Sequence, residues 1–579
     1  MFNNKSWHQK VALTSFLNIA LGGIFFQHQP LALGNPSVDY EIWGSDQSNS
    51  RSGVEAPGVS GSWIWIWDKS ELENQLTTGQ AAQPMGCDGL NQAGAGPCDL
   101  YDVFPSELKE IDAQGNETGV TLNELSGFGR LHGMLPDPQN RYMNLNIFAP
   151  GGGFVGIMDG QTKEAIALFR VAKTSAGRSV HMSYWNSDGS ALLIANLHGK
   201  ILERIDITRN NQGLITGATF NQSASLAVGK NFTISEAPKA YAGLNSQGNP
   251  LIGSVSGDYS AAALSDLTPN GFCKENGCNG PDDPKGGRAN NVIICPISSS
   301  RNHVYTTFGG GGLLVVDSNQ TPMRIVGEYG NQVINGAGCG GVQVGNRVWL
   351  NGGVSASGAG ATQSTFTIYS LNDAAFNQTS KKENLPPPKL VFKDSTNTST
   401  IGSKSGSSEN STGQLPGMTS RRDSHGMAAT IGGKYVHTND RIQNVVEVFE
   451  SKSLKRSTYD LTSMNGKGQG QGACQAASVS GLPSNDPAPD LMEATPDGKY
   501  LVVALRGPVP VSVKHSAQGS CPGVGIIELT EDGASGKLVG VLRSTNVVDD
   551  VNVSDPAPGG HPYAGPERSD VHGAAVRKK

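Results

Sequence analysis

The chain has 579 residues, of which 16% are charged and 76 are glycine, and its formal net charge is −6. That balance offers no basic footprint for nucleic acid, and beyond the N-terminal segment no apolar run is long enough to cross a bilayer. Few charges and many turn formers point to an all-β protein of many short strands.

Residues 1–34 have the form of an export signal. Lys5 and Lys10 give a basic start, Val11 to Phe26 run apolar without a charge, and Ala32 and Gly34 suit a cleavage site. The expectation is an exported protein, periplasmic or extracellular, with residues 35–579 as its mature chain. Eight cysteines suit that compartment. Closeness in sequence pairs Cys87 with Cys98, Cys273 with Cys278, and Cys474 with Cys521, leaving Cys295 and Cys339 over.

Tyr40 to Trp43 and the alternating WIWIWD of Trp63 to Asp68 are strand-like. Indoles at every second position share one face, suited to packing between sheets. A Gly-rich loop follows between Gly79 and Asp99, and Phe104 to Ile111 is expected to add a strand. From His132 a pattern sets in. HGMLPDPQNRY (His132 to Tyr142), HMSYWNSDGSA (His181 to Ala191), HGMAATIGGKY (His425 to Tyr435) and DLMEATPDGKY (Asp490 to Tyr500) share one scheme. In each, a short apolar strand leads to a Gly/Asp/Asn turn and a second strand. The terminal HGAAVRKK (His572 to Lys579) starts the scheme again and stops, and further units begin near Cys295 and Cys339. The runs FAPGGGFVGIMD and FGGGGLLVVD are followed by strands rather than helices, so they are hairpin turns and not phosphate loops. Residues 208–290, 372–422 and 463–487 are polar and read as long loop insertions, the first with one or two added hairpins.

Taking the N-terminal strands together with the terminal one as a single unit gives seven units, each a four-stranded meander. Repeats of roughly 40 residues are the mark of a propeller. The TPDGKY and NSDGS turns and the VVD and FES third strands resemble the YVTN/WD40-like seven-bladed propeller superfamily. That resemblance implies an all-β, seven-bladed β-propeller, one domain over 35–579, with the C-terminal strand closing the first blade.

In a propeller the first strand of each blade lies nearest the axis, so equivalent positions converge on one mouth of the channel. His132, His181, His425, His572 and Asp490 are therefore the predicted metal ligands, with Cys295 and Cys339 nearby on the remaining units. Several imidazoles at short range need a reason to coexist, and a transition metal supplies one. RRDSHG and RSDVHG place Asp423 and Asp570 just before a histidine, where each can accept from the second ring nitrogen. The expectation is an exported, copper- or iron-dependent oxidoreductase acting on a small molecule. The chain resembles propellers with an axial His-bound metal in architecture and histidine placement, among them carotenoid-cleaving oxygenases, nitrous oxide reductase and methanethiol-oxidising selenium-binding proteins. It carries none of their motifs, and no catalytic residue is assigned. Two other readings stand beside this one: a non-catalytic propeller presenting its loops to a protein or glycan, and a propeller-type lactonase. The lactonase would use calcium and oxygen ligands, against which a nitrogen-rich ring speaks.

Overall fold

The structure is a computed structural model. It describes residues 37–48, 62–87, 94, 96–125, 128–148, 152–228, 233–260, 293–309, 311–330, 333–334, 338–352, 366–377, 385–394, 422–441, 443–462, 472–479, 486–510, 519–547 and 565–579. The export segment and the Cys273/Cys278 pair lie outside the described residues.

The chain folds as an all-β propeller. Six sheets each hold four antiparallel strands taken from one consecutive run of chain. Their inner strands are Leu131–Pro136, Val180–Trp185, Ile293–Ser298, Gly341–Val344, Ser424–Ala429 and Pro489–Ala494. One more four-stranded sheet is composite. Its inner strand is the last of the chain, Val571–Lys578, paired antiparallel with the first, Tyr40–Asp46, with Trp63–Asp68 and Cys98–Asp99 outside them. The chain's end therefore closes on its beginning.

The tryptophan stripe shows how the sheets stack. Trp65 and Trp67 lie on one face with ring centroids 5.7 Å apart, packed with Tyr40, Ile42, Val524 and Ile526 against the Asp490 sheet. Ile64 and Ile66, one residue out of phase, face the opposite way into a core shared with Leu131, Met143 and Phe154 of the His132 sheet. Period-two alternation thus glues the composite sheet to both neighbours.

Three sequence expectations need correction. Residues 372–422 are not loop throughout, for Lys389–Asp394 is the outer strand of its sheet, and within 208–290 the strand Ile215–Asn221 pairs antiparallel with Ile201–Arg209 and parallel with Gly253–Ser256. An outer strand faces water on one edge and carries a weak apolar signal. Between Cys98 and Ile111, a short helix, Leu100–Val103, capped by the Asp99 carboxylate, precedes the strand Lys109–Ile111. Finally, Cys295 and Cys339 are not left over: they form a disulfide, as Cys87–Cys98 and Cys474–Cys521 do.

His437 illustrates a structural histidine. Fully buried, it lies between the Tyr459 hydroxyl (3.1 Å) and the Gly533 carbonyl oxygen (2.9 Å), and burial lowers its pKa from 6.5 to about 4. The unfolded chain takes up this proton near pH 6.5, whereas the folded chain resists until about 4. Its contribution is therefore intact above pH 6.5 and is lost as pH falls. Relative to His437→Gln, the wild-type protein is expected to lose about 3 kcal/mol between pH 6.5 and 4, read from urea unfolding at each pH. A pH-independent difference would show that the imidazole is not held neutral.

Candidate metal centre

The ring residues reach the axis because the inner strands are bulged. In six of them the pairing with the second strand slips by one residue at the same level. Leu131 pairs with Ile147 and Gly133 with Asn146, leaving His132 as the extra residue; Val571 and Gly573 bracket His572 in the same way. Elsewhere the slip falls at His181–Met182, Ile294–Cys295, His425–Gly426 and Asp490–Leu491. A bulge breaks the alternation of faces and re-aims a side chain, here toward the channel.

Bulging frees backbone groups that must find partners. Asn439 accepts the Gly426 N–H (2.8 Å) and donates to the Asp490 carbonyl oxygen of the next sheet. Asn351 accepts the Gly340 N–H (3.1 Å) and donates to the His425 carbonyl oxygen. Ser45 accepts the Gly573 N–H (3.0 Å) and donates to the His132 carbonyl oxygen (3.3 Å). Each sits on a second strand and ties one ring residue to the next sheet, so these hydrogen bonds set the spacing of the ring. Sequence reasoning passed over them; only Asn351, in RVWLNG, stands out as a polar residue after an apolar run, whereas Asn439 in YVHTND and Ser45 in YEIWGSD have polar neighbours. Glycine after the histidine is required by the same crowding: a Cβ at Gly426 would run into the Asp490 carbonyl oxygen, and one at Gly573 into Ser45 Oγ.

All five predicted ring residues come together, though not as one cluster. The imidazoles form a run, with centroid separations of 5.8 Å from His425 to His572, 3.7 Å from His572 to His132, and 4.2 Å from His132 to His181. Among the described residues, atoms able to hold a metal fall into two groups, His425–Asp490–His572 and His181–Cys295–Cys339, each within 4.8 Å. His132 belongs to neither and packs between them. His425 Nε2 lies 3.1 Å from Asp490 Oδ1, and His572 Nε2 lies 3.8 Å from the same oxygen. Despite that approach, His425 Nε2 and Asp490 Oδ1 make no hydrogen bond among the described residues, nor does His425 Nδ1 or His132 Nδ1.

The second carboxylate oxygen is engaged differently. Asp490 Oδ2 accepts from Arg441 and from Arg506, each at 2.9 Å. Those guanidiniums are held in turn by Asp423 (2.8 Å to Arg441) and by both oxygens of Asp570 (2.7 Å each to Arg506). Here the expectation for the two aspartates is corrected. Asp423 Oδ1 comes only to 3.8 Å from His425 Nδ1, and the acceptor for His572 Nδ1 is the His132 carbonyl oxygen at 2.8 Å. Their carboxylates instead grip the arginines, because a guanidinium fork matches a carboxylate better than a single ring nitrogen does.

Burial opposes charge on Asp490, but the His425 and His572 imidazoles and the two guanidiniums outweigh it and hold the carboxyl well below the ordinary carboxylate range. Burial, reinforced by neighbouring imidazoles and guanidiniums, keeps His132 well below the usual imidazole value, and it does the same for His572 against the opposing pull of the Asp490 carboxylate. At neutral pH the Asp490 carboxylate thus lies beside the neutral imidazoles of His132 and His572. With its Nδ1–H committed to the His132 carbonyl, His572 presents Nε2 as a lone pair, the state a metal ligand requires.

The other histidines are engaged elsewhere: His198 Nδ1 meets Ser179 Oγ (2.6 Å) and His303 Nδ1 meets Asp373 (2.8 Å). His515 and His561 lie outside the described residues.

No family model matches the sequence, and no curated protein matches it. Among solved structures, a Lactobacillus plantarum protein is 10% identical and aligns over 93% of this chain and 99% of its own, with a TM-score of 0.43. A Bacteroides fragilis protein provisionally titled a 6-phosphogluconolactonase is 10% identical over 94% of this chain and 99% of its own, with a TM-score of 0.41. The WD40 repeats of RRP9 are 9% identical over 81% and 90%, with a TM-score of 0.36. These are likenesses at low identity and score; the propeller is evident in the chain's own strand pairing.

Proposed function

We propose that this chain is an exported, seven-bladed propeller that binds a redox-active transition metal at its channel mouth and uses it as an oxidoreductase. The composite sheet is the seventh blade beside the six consecutive ones, which supports the count. Three disulfides among the described residues suit an oxidising compartment, and no helix among those residues is long and apolar enough to cross a membrane.

One observation carries the metal reading. His425 Nε2, His572 Nε2 and Asp490 Oδ1 converge in a buried pocket, and two of these atoms sit 3.1 Å apart without a hydrogen bond between them. Buried polar atoms are almost always partnered, and a shared cation is the partner that such an arrangement lacks. Two imidazoles and one carboxylate make a donor set for iron(II); copper also accepts imidazole. Oδ2 is occupied by two arginines, so Asp490 offers one oxygen. Three protein donors leave positions open for a small substrate or oxygen.

Metal analysis of untagged protein tests the proposal. About one equivalent of iron or copper is expected per chain, refilled by the apo form, with retention near zero in His425→Ala/His572→Ala. Uptake below roughly a tenth of an equivalent by wild-type apo protein would reject it, since three protein donors should fill when metal is offered. In that case the non-catalytic propeller, presenting its loops to a partner, becomes the better account.

A further inference from the structure

The opposite arc of the ring holds a pair of sulfurs. Cys295 and Cys339 are fully buried and bonded to each other, joining the inner strand of one sheet to the approach of the next. They occupy the ring level where other blades place histidine or aspartate, and their sulfurs lie 3.7 and 3.8 Å from His181 Nδ1. A disulfide that only stapled two blades together would have no need of an imidazole at both sulfurs. Cys339 also borders a cavity of about 300 Å³ in the channel, lined by Met134, Met182, Met427 and Met492. Four thioethers from four inner strands, in a chain with 11 methionines, make the approach to this disulfide soft and apolar.

We propose that Cys295–Cys339 is a reducible element of the ring, and that its dithiolate binds one soft metal ion together with His181. Thiolate and imidazole donors select such ions, and thioethers along the route suit them too. In the reduction a dithiol gives up two electrons and becomes its own disulfide, the Cys295–Cys339 bond breaks, and each protein sulfur takes one electron and one proton. The protons leave when a divalent ion binds both thiolates. The reverse step uses an external disulfide, which takes the two electrons and two protons and is cleaved to its dithiol, while the Cys295–Cys339 bond re-forms and the ion is released. The site is thus open only in reduced protein, and it shares no ligand with the His425–Asp490–His572 group.

The full chain, reduced with dithiothreitol and cleared of it by anaerobic gel filtration, is titrated with Cd(II) and read by sulfur-to-metal charge transfer. Reduced wild-type protein is expected to take up one equivalent more than reduced Cys295→Ser/Cys339→Ser. His181→Ala should bind that equivalent at least tenfold more weakly, and His425→Ala/His572→Ala should bind it normally. Alkylation mapped by mass spectrometry repeats the test without variants: Cd(II) should shield Cys295 and Cys339 of reduced wild-type protein. Equal uptake by wild type and the double serine variant, no shielding, or a Cys295–Cys339 bond that survives dithiothreitol in folded protein overturns the proposal. Because the two sites share no ligand, failure here leaves the metal uptake of oxidised protein unchanged.

Discussion

Asp490→Asn is expected to empty the proposed metal site and to lower the unfolding free energy of metal-free protein by about 3–5 kcal/mol, the cost of removing one partner from a buried ion pair. The side chain has two separable tasks. Oδ1 faces the imidazoles, while Oδ2 joins Arg441 and Arg506, all fully buried. Asparagine fits the space but brings a neutral amide against two guanidiniums, which keep their bonds to Asp423 and Asp570. His425→Ala separates the tasks. It removes a proposed ligand whose ring nitrogens make no hydrogen bond among the described residues, so metal should be lost while metal-free stability falls by only about 1 kcal/mol, the lower end for a partly relaxed truncation. Metal content and urea unfolding of both variants, with metal removed before the unfolding, check this. Equal destabilisation by the two would mean that Asp490 does not anchor the arginines; full metal content in either would mean that the residue is no ligand.

The sequence displayed the ring because each strand start repeats one local scheme, an apolar strand running into a Gly/Asp/Asn turn, and such schemes survive in a linear reading. His132, His181, His425, Asp490 and His572 were aligned on that basis, and the bulges fall at each of them. Three things were not legible. The Cys295–Cys339 bond spans 44 residues and exists because two blades meet at the axis, a proximity that spacing does not encode. The split of the ring into two ligand groups depends on side-chain direction within a bulge, which a one-residue slip decides. The arginine–aspartate chain was half visible: Asp423 and Asp570 stood out, but Arg441 and Arg506 sit at the ends of second strands, where a basic residue reads as solvent-facing. Outer strands such as Lys389–Asp394 failed for a plainer reason: three of its residues are exposed, so half-burial leaves little alternation to detect.

Removing residues 571–579 is expected to abolish cooperative folding altogether. Val571–Lys578 is the inner strand of the composite sheet, and its loss strips the ladder from Tyr40–Asp46, leaving an open edge where the ring should close. Val571, Ala575 and Val576 are withdrawn from cores shared with both neighbouring sheets. Arg577, which donates to Glu41 at 2.9 Å beside the buried Lys163, goes with them. A ring that cannot close exposes apolar faces on either side of the gap, so the truncated chain should show no sigmoidal unfolding transition and should aggregate. A synthetic peptide of residues 565–579 added in trans supplies the missing strand and should restore a cooperative transition that rises with peptide concentration, as mass action requires. The same peptide carrying His572→Ala should restore the transition and leave the metal site vacant. That outcome divides the strand's two contributions, closing the wheel by backbone pairing and completing the centre by one imidazole; a truncated chain that melts like the intact one would show that closure does not depend on this strand.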